Sequence, residues 1–200
     1  MPDWDTRYTS DGYLFGTEPA TVLPRQAAHL PTTGRALCVA DGEGRNAVWL
    51  AERGIGVTAF DASPVAVEKA RRLAADRGQN VEFQVADAES FNWPDAAFDV
   101  VVGIFIQFAQ PAERLRMFDA MKRSTRPGGI ILLHGYTPKQ LEFGTGGPPH
   151  PDHLYTERML RDAFSDWRIV TLDAFEADLA EGTAHVGRSA VIDLIARRPA

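Results

Sequence analysis

The sequence is poor in cysteine and lysine, and it has no long hydrophobic run. Cys38 is its only cysteine, which excludes an intrachain disulfide framework and favours a reducing, cytoplasmic location. Only three of its 21 positively charged residues are lysines, and its 27 acidic residues make the net charge −6. No basic stripe is present, so a nucleic-acid partner is not expected. The longest apolar run, 100–106, is far shorter than the ~20 residues that span a bilayer, so no membrane association is expected.

What the sequence does contain is an alternation of short apolar runs and helical patterns, which predicts a parallel α/β sheet. We expect a single domain over 1–200, with an N-terminal extension or lid over 1–30 and an α/β core over 31–200. Strands are predicted at 35–40, 56–61, 81–86, 98–104, 130–133, 168–172 and 190–196. Helices are predicted at 45–54, after the capping residues Ser63 and Thr156, and from Pro111, which are typical residues of helix starts.

A glycine-containing turn follows the first predicted strand. The run VADGEGRN places Gly42 and Gly44 between that strand and a helix, where glycine permits a tight turn and close approach of a ligand. The N-terminus of the helix offers free N–H groups and the positive end of the helix dipole. Two glycines of this kind are, by themselves, a weak indication of a ligand site.

An aspartate ends each of the next two predicted strands. Asp61 could accept hydrogen bonds from two ribose hydroxyls, and Asp87 could accept one from an adenine amino group. The carboxyl ends of parallel strands form the edge where open α/β sheets bind ligands. The alternative for each aspartate is a cap of the turn that follows it. The glycine turn and both acids together favour an adenosine-containing ligand.

Two common kinds of adenosine site do not match. A phosphate-binding loop needs a lysine after its glycines, and none of the three lysines follows a glycine. A dinucleotide site needs a third glycine, where this sequence has Ala47, and no Tyr-x-x-x-Lys pair is present. A ligand with adenosine but without pyrophosphate fits better, and an NAD-dependent oxidoreductase is the weaker alternative.

Several runs of the sequence resemble class I S-adenosylmethionine-dependent methyltransferases over about residues 30–135. They are ALCVADGEGRNAVWLAERG, VTAFD followed by Ser-Pro, VADAESF, and FDVVVGIF followed by RPGG. The flanking segments WDTRY, YLFGTEP, TGGP and EGTAHVG are similar to small bacterial tellurite-resistance and thiopurine-type members. The resemblance implies S-adenosylmethionine as cofactor. It also implies one doubly wound, Rossmann-like, mostly parallel seven-stranded sheet in the order 3-2-1-4-5-7-6, with the last strand antiparallel.

The resemblance also implies which residues hold the cofactor. The backbone from Ala40 to Gly44 would hold the methionine part, with Asp41 near its amino group, and the stretch from Gly103 to Phe105 would lie under the sulfonium. Where the family often has a glycine this sequence has Ala40, which fits the turn if its φ is negative, and Cys38 replaces a frequent acid. The predicted cofactor-binding residues are Ala40, Asp41, Gly42, Gly44, Asp61, Ala62, Asp87, Ala88, Gly103 and Phe105.

The methyl acceptor is expected to be a small, partly apolar molecule: a thiol, a phenol or carboxyl oxygen, or a soft inorganic anion. The run GIFIQF at 103–108 is apolar, whereas enzymes that methylate nucleobase amines carry polar residues there. His134, His185 and Tyr13 are the candidate catalytic residues, and each histidine could instead be structural. His150 and His153 have no second pair at zinc spacing, so no metal is expected. A non-catalytic S-adenosylmethionine-binding module remains an alternative.

Two segments could cover the acceptor site. The first 15 residues hold Trp4, Tyr8, Tyr13 and Phe15, which could form a lid, with Tyr13 and Phe15 facing the pocket, or pack as a staple on the sheet edge. The stretch 138–152 has no helix or strand pattern and contains several glycines and prolines, so we expect it to close the site together with the N-terminus.

Overall fold

The computed structural model describes residues 4–200, which form one seven-stranded sheet flanked by helices. The order is β3-β2-β1-β4-β5-β7-β6; the first five strands are parallel, and β7 is antiparallel to both of its neighbours. This confirms the predicted fold and strand order. The strands are β1 Arg35–Val39, β2 Gly56–Asp61, β3 Val81–Val85, β4 Phe98–Ile104, β5 Thr125–Tyr136, β6 Arg168–Glu181 and β7 His185–Arg197.

Helices cover both faces of the sheet. They are α1 Trp4–Tyr8, α2 Val22–Arg25, α3 Arg45–Glu52, α4 Pro64–Asp76, α5 Pro111–Ser124, α6 Gln140–Phe143 and α7 Glu157–Ala163, with 3₁₀ turns at Ala27–His29 and Pro151–His153. Alternate residues of β4 face opposite sides, as a strand requires. Val101 packs in one cluster with Phe118 of α5, while Val102 packs in the other with Leu50 of α3. None of the described helices is long and apolar enough to cross a membrane.

The predicted helix starts are confirmed by their capping bonds. Ser63 Oγ accepts a hydrogen bond from Ala66 N at 3.1 Å, and Thr156 Oγ1 accepts one from Met159 N at 3.1 Å. The first residue of α5 is Pro111, and Glu113 accepts a hydrogen bond at 3.0 Å from the backbone N–H of the residue before that proline. These caps satisfy N–H groups that the helices cannot pair internally.

Three strands are longer than predicted. Strand β5 begins at Thr125 rather than residue 130, and β6 and β7 continue past their apolar stretches into a hairpin ending at Glu181 and His185. In the outer part of this hairpin the two strands pair through their backbones. Charged side chains at its surface also bond from one strand to the other, as Arg188 does with Glu176 at 2.9 Å. A prediction based on apolar runs misses such a segment, because backbone pairing does not depend on apolar side chains.

The stretch 138–152 is more regular than predicted. It contains α6 and the first two residues of the second 3₁₀ turn, and its Gln140 side chain is buried. Gln140 Oε1 accepts a hydrogen bond from Ala190 N at 2.8 Å, and Gln140 Nε2 donates one to Thr145 Oγ1 at 2.9 Å. The buried Gln140 side chain therefore attaches this stretch to the backbone of β7.

Candidate functional site

A cavity of about 830 Å³ opens beside the carboxyl ends of β1 to β4. Its walls come from the turns after these strands, from α5, from the first residues of the chain and from the β6–β7 hairpin. The lining residues include Trp4, Tyr8, Phe15, Ala40, Arg45, Phe60, Asp61, Ala62, Asp87, Ala88, Trp93, Ile104, Phe105, Phe108, Met117 and His185. The position agrees with the general rule for ligands of open α/β sheets, and the volume is in the range of small-molecule sites, about 300–1,000 Å³.

The turn after β1 has an unusual backbone. Gly42 and Gly44 have φ of +62° and +90°, and a Cβ on Gly44 would lie 2.7 Å from the Cβ of Ala70 on α4. Glycine is therefore required at Gly44 both by conformation and by space. The condition under which Ala40 was expected to fit the turn, a negative φ, is not met, because its φ is +47°. The Asp41 N–H donates to Phe60 O at 3.0 Å, which ties the turn to β2.

Like Ala40, a second residue of the cavity also has a positive φ. Phe105, just after β4, has a φ of +56°, and its N–H donates to His134 O at 2.8 Å. Positive φ costs a residue with a Cβ about 1–2 kcal/mol, and such strain is concentrated at ligand sites in proteins. Both residues lie on the cavity wall at the ends of the two central strands.

Asp61 connects three parts of the site. Its Oδ2 accepts a hydrogen bond from Gly42 N at 2.8 Å, and its Oδ1 accepts one from Ser63 N at 2.9 Å. Burial raises the pKa of Asp61, and these N–H groups oppose the rise. Each carboxylate oxygen has a second lone pair, so the residue can hold the turn and also accept hydrogen bonds from a ligand in the cavity.

Asp87 lies at the exposed end of β3 and also caps a turn. Its Oδ1 accepts hydrogen bonds from Ser90 N at 2.7 Å, Ser90 Oγ at 2.8 Å and Glu89 N at 3.0 Å. The bonds from Ser90 are the main reason that the pKa of Asp87 is lowered. Asp87 and its neighbour Ala88 line the cavity, so the capping role and a ligand-binding role are compatible.

Several predicted cofactor residues do not line the cavity. The carboxylate of Asp41 accepts a hydrogen bond from Ala47 N at 3.3 Å, inside the first turn of α3. A Cβ on Gly103 would lie 2.5 Å from Ile106 Cδ1, so this glycine serves the packing of β4. Gly42 and Gly44 shape the turn beneath the cavity. The expected contact of Asp41 with the cofactor's amino group therefore has no counterpart in this geometry.

Of the three candidate catalytic residues, only His185 lines the cavity. The Tyr13 hydroxyl donates to Lys69 O at 3.2 Å, and its ring packs against α3 and α4, so the expectation that it faces the pocket is wrong. His134 is completely buried, with Nδ1 2.7 Å from Asp193 Oδ1, and it lies beneath Phe105. These two residues have structural positions.

Aromatic rings and one ion pair form the end of the cavity that contains His185. The His185 ring centroid is 4.4 Å from that of Phe15 and 4.2 Å from that of Phe105. Behind the histidine, Arg45 Nη2 and Glu181 Oε2 form a buried ion pair at 2.7 Å. Arg45 also donates to Phe15 O at 3.0 Å, so it is held by protein groups on both sides.

We define residues 4–16 as the N-terminal strap. Trp4, Tyr8 and Phe15 of the strap line the cavity, and the rings of Trp4 and Tyr8 stack at 5.7 Å. Lys69 Nζ donates to the carbonyl oxygens of Ser10 and Gly12 at 2.7 and 2.6 Å, which holds the strap on α4. The strap therefore lines the pocket, its role as a lid stays a prediction, and the part of that prediction that falls on residues 1–3 lies outside the described residues.

The second half of that cover is not the stretch 138–152, none of which lines the cavity. The turn of the β6–β7 hairpin holds the strap instead: Thr183 N donates to Leu14 O at 2.9 Å, and Gly182 packs on the strap backbone. The wall residues Phe60, Trp93 and Phe108 were also not predicted. Nothing in the sequence distinguishes these aromatic residues from core residues.

No group of three or more histidine, cysteine, aspartate or glutamate side chains among the described residues could hold a metal ion. His153, one of the two loop histidines, has its Nδ1 3.1 Å from Gln107 O. That contact places it against the protein backbone.

Residues 36–129 match a protein family described as a methyltransferase domain. This segment contains the glycine turn, both aspartates and Phe105. The match agrees with the resemblance to methyltransferases that the sequence runs carry. The narrower resemblance to tellurite-resistance and thiopurine-type members is not confirmed.

Two curated proteins that this chain resembles are also named methyltransferases. The chain is 29% identical over 136 residues to a 2-heptyl-1-hydroxyquinolin-4(1H)-one methyltransferase of Mycobacteroides abscessus, covering 67% of this chain and 58% of that protein. It is 36% identical over 113 residues to a demethylmenaquinone methyltransferase of Thermus thermophilus, covering 55% of this chain and 51% of that protein. The chain thus spans a little over half the length of these relatives.

The fold has solved counterparts. The structure described as "Conversion of a Disulfide Bond into a Thioacetal Group during Echinomycin Biosynthesis" matches with a TM-score of 0.81. The match covers 98% of this chain and 90% of the other, at 22% identity. At this identity the likeness shows the fold alone.

Proposed function

We propose that this protein transfers a methyl group from S-adenosylmethionine to a small, partly apolar molecule. The observation that supports this most strongly is that Asp61, Asp87 and His185 line the same cavity. The two carboxylates, at the ends of successive strands, can bind an adenosine group. The histidine lies between the aromatic rings of Phe15 and Phe105. The family match and the named relatives agree with this arrangement.

The cavity residues fit this cofactor. Asp61 would accept hydrogen bonds from the ribose hydroxyls, and Asp87, with Ala88, would read the adenine beside the apolar rings of Phe60 and Phe108. The backbone at Ala40 would hold the methionine part. When bound, S-adenosylmethionine supplies an electrophilic methyl carbon. The contribution of the protein is then to position the acceptor and exclude water, which in ideal cases provides effective molarities up to ~10⁵–10⁸ M.

The end of the cavity that contains His185, which we call the acceptor end because the methyl acceptor would bind there, favours a neutral, flat molecule. Its walls are the rings of Phe15 and Phe105 and the imidazole of His185. Arg45 is the cation beside these rings, and its bonds to Glu181 and the strap leave it paired, whereas the other arginines that line the cavity, Arg116 and Arg123, belong to α5. A soft inorganic anion is therefore less suitable than a phenol-type oxygen or a thiol. We also infer a cytoplasmic protein with neither a nucleic-acid nor a membrane partner.

Calorimetric titration with S-adenosylmethionine, S-adenosylhomocysteine and NAD tests the cofactor part of the proposal. We expect both sulfur compounds to bind and NAD not to bind. Tight NAD binding without a response to the sulfur compounds would establish the oxidoreductase alternative. A radiolabelled-methyl screen over phenols, thiols, carboxylic acids and amines then tests turnover. Cofactor binding with no turnover of any acceptor would favour a non-catalytic sensing module.

A further inference from the structure

His185 begins β7 and is enclosed on three sides by rings. Phe15 and Phe105 lie 4.4 and 4.2 Å from it between centroids, and Tyr136 lies 5.8 Å away, edge-on. Its side chain is 11% exposed, and it reaches the cavity wall. An imidazole in this position is shielded from bulk water but accessible to a molecule in the cavity.

The two ring nitrogens of His185 have different surroundings. Nδ1 is buried, has no hydrogen-bond partner, and lies 3.8 Å from Glu181 Oε2, slightly beyond hydrogen-bond distance. A proton on Nδ1 is attracted by this carboxylate. The other nitrogen, Nε2, is then the one that carries a free lone pair. A carboxylate behind a histidine commonly sets the tautomer in this way.

Glu181 is held firmly in its position. Its Oε2 pairs with Arg45 at 2.7 Å, and its Oε1 accepts hydrogen bonds from Thr21 N at 2.9 Å and Thr21 Oγ1 at 3.0 Å. Burial by itself would raise the pKa of Glu181, but His185, Arg45 and Thr21 together lower it. The carboxylate is therefore ionised at neutral pH, and it can stabilise a positive charge on the imidazole.

We propose that His185 Nε2 accepts the proton of the methyl acceptor, which is therefore a flat, apolar compound with an acidic O–H or S–H group. The inference rests on the proposed function. The O–H or S–H bond breaks, the proton binds Nε2, and the electron pair stays on oxygen or sulfur. That atom bonds to the methyl carbon as the carbon–sulfur bond of the donor breaks, and its electron pair stays on the donor sulfur. The imidazolium later releases the proton to water.

The charges around His185 suit this role. Glu181 on β6, Arg45 on α3, and His134 and Tyr136 on β5 are the titratable or charged groups that face it. Burial is the largest influence and lowers the pKa of His185, while Glu181 opposes it. The imidazole is thus neutral near pH 7 and able to accept a proton.

The first test measures proton transfer without turnover. 4-Nitrophenol, whose neutral and ionised forms absorb differently, is titrated with the unaltered protein in the presence of S-adenosylhomocysteine. We expect binding to lower its apparent pKa by at least one unit, because the bound phenolate, together with Glu181, stabilises the imidazolium that burial alone disfavours. The substitution His185→Gln should abolish this shift, and His150→Gln, at an exposed loop position, should not. Binding of neutral phenol with no pKa shift in the unaltered protein would overturn the proposal.

The second test uses a series of phenols and thiols of graded acidity that the unaltered protein methylates. In His185→Gln, kcat/KM should fall by about 10²–10⁴ for weakly acidic acceptors, and by much less for acceptors that are already ionised. In the same variant, the fall of kcat/KM at acid pH should also disappear. An equal loss across the series, with unchanged affinity for S-adenosylhomocysteine, would show a packing role for His185. A protein that binds no S-adenosylhomocysteine, or methylates nothing, would instead refute the proposed function itself.

Discussion

The pH dependence of stability should show that Asp41 is a buried acid inside the glycine turn. Among the described residues, one backbone N–H donates a hydrogen bond to its carboxylate: Ala47 N, at 3.3 Å. Burial is the largest influence and raises the pKa of Asp41 from 3.8 to about 7, with Ala47 opposing the rise and Asp61 adding to it. Asp41→Asn replaces the ionisable group with a neutral side chain of almost the same shape.

The sign of the effect follows from linkage. A carboxyl whose pKa is higher in the folded state contributes its stability below pH 3.8, and the contribution is lost as the pH rises through about 7. A rise of about three units corresponds to about 4 kcal/mol. The carboxyl is surrounded by protein, but the residue as a whole is only half-buried, and screening by solvent reduces the figure to about 2–4 kcal/mol. Relative to the unaltered protein, Asp41→Asn should therefore gain that amount between pH 4 and pH 8.

Urea unfolding at a series of pH values measures this difference directly, because groups other than Asp41 titrate in both proteins and cancel. Asp173→Asn, at an exposed position on β6, is the matched control and should show a difference that does not vary with pH. If the free energy of unfolding of Asp41→Asn runs parallel to that of the unaltered protein, the folded and unfolded states hold the Asp41 proton equally. Burial would then not raise the pKa of Asp41, and the reasoning from its position in the turn would be refuted.

Three further substitutions test the site. Asp61→Ala should weaken S-adenosylhomocysteine binding at least tenfold by calorimetry, since two charge-assisted bonds of ~1.5–3 kcal/mol each are lost before compensation; unchanged affinity would leave only its turn-holding role. Asp87→Ala should act in the same direction but more mildly, because adenine also gains from apolar contact. Gly182→Ala places a Cβ 2.4 Å from Leu14 O, whereas Gly78→Ala, at a nearly equal φ of +64° against +63°, meets no atom within 4 Å. Hydrogen exchange should therefore rise in the strap only for Gly182→Ala, and equal exchange in both variants would show that the turn of the β6–β7 hairpin does not hold the strap.

Local signals in the sequence were sufficient for the core of the fold. Ser63 and Thr156 cap helices as their residue types predict, and the apolar stretch of β4 is buried on both faces. Asp61 and Asp87 reach the cavity because strand ends in a parallel sheet lie along one edge. These features depend on residues that are close in sequence, so a pattern is enough to predict them.

The errors concern features that depend on distant residues. The positive φ of Ala40 is imposed by the pairing of the turn with β2, as the bond from Asp41 N to Phe60 O shows. Whether a histidine faces a cavity or a core depends on which side of its strand the neighbours occupy. That separates His185 from His134, although both belong to the same sheet. The extent of the β6–β7 hairpin likewise follows from backbone pairing.

Glu181 explains how the acceptor end can contain an ionised acid and still leave its histidine neutral. The acid lies on β6 and bonds to Thr21, which precedes α2, and to Arg45 of α3, which in turn bonds to Phe15 of the strap. Arg45 lies closer to the carboxylate than His185 does, 2.7 Å against 3.8 Å, so it offsets part of the negative charge that acts on His185. The remaining attraction is too small to overcome burial, so the pKa of His185 stays low. Removing either member of the ion pair would leave a buried charge, at a cost of about 3–5 kcal/mol, and would disturb the strap, α3 and the hairpin together. The role of His185 is therefore tested at His185 itself and not through Glu181 or Arg45.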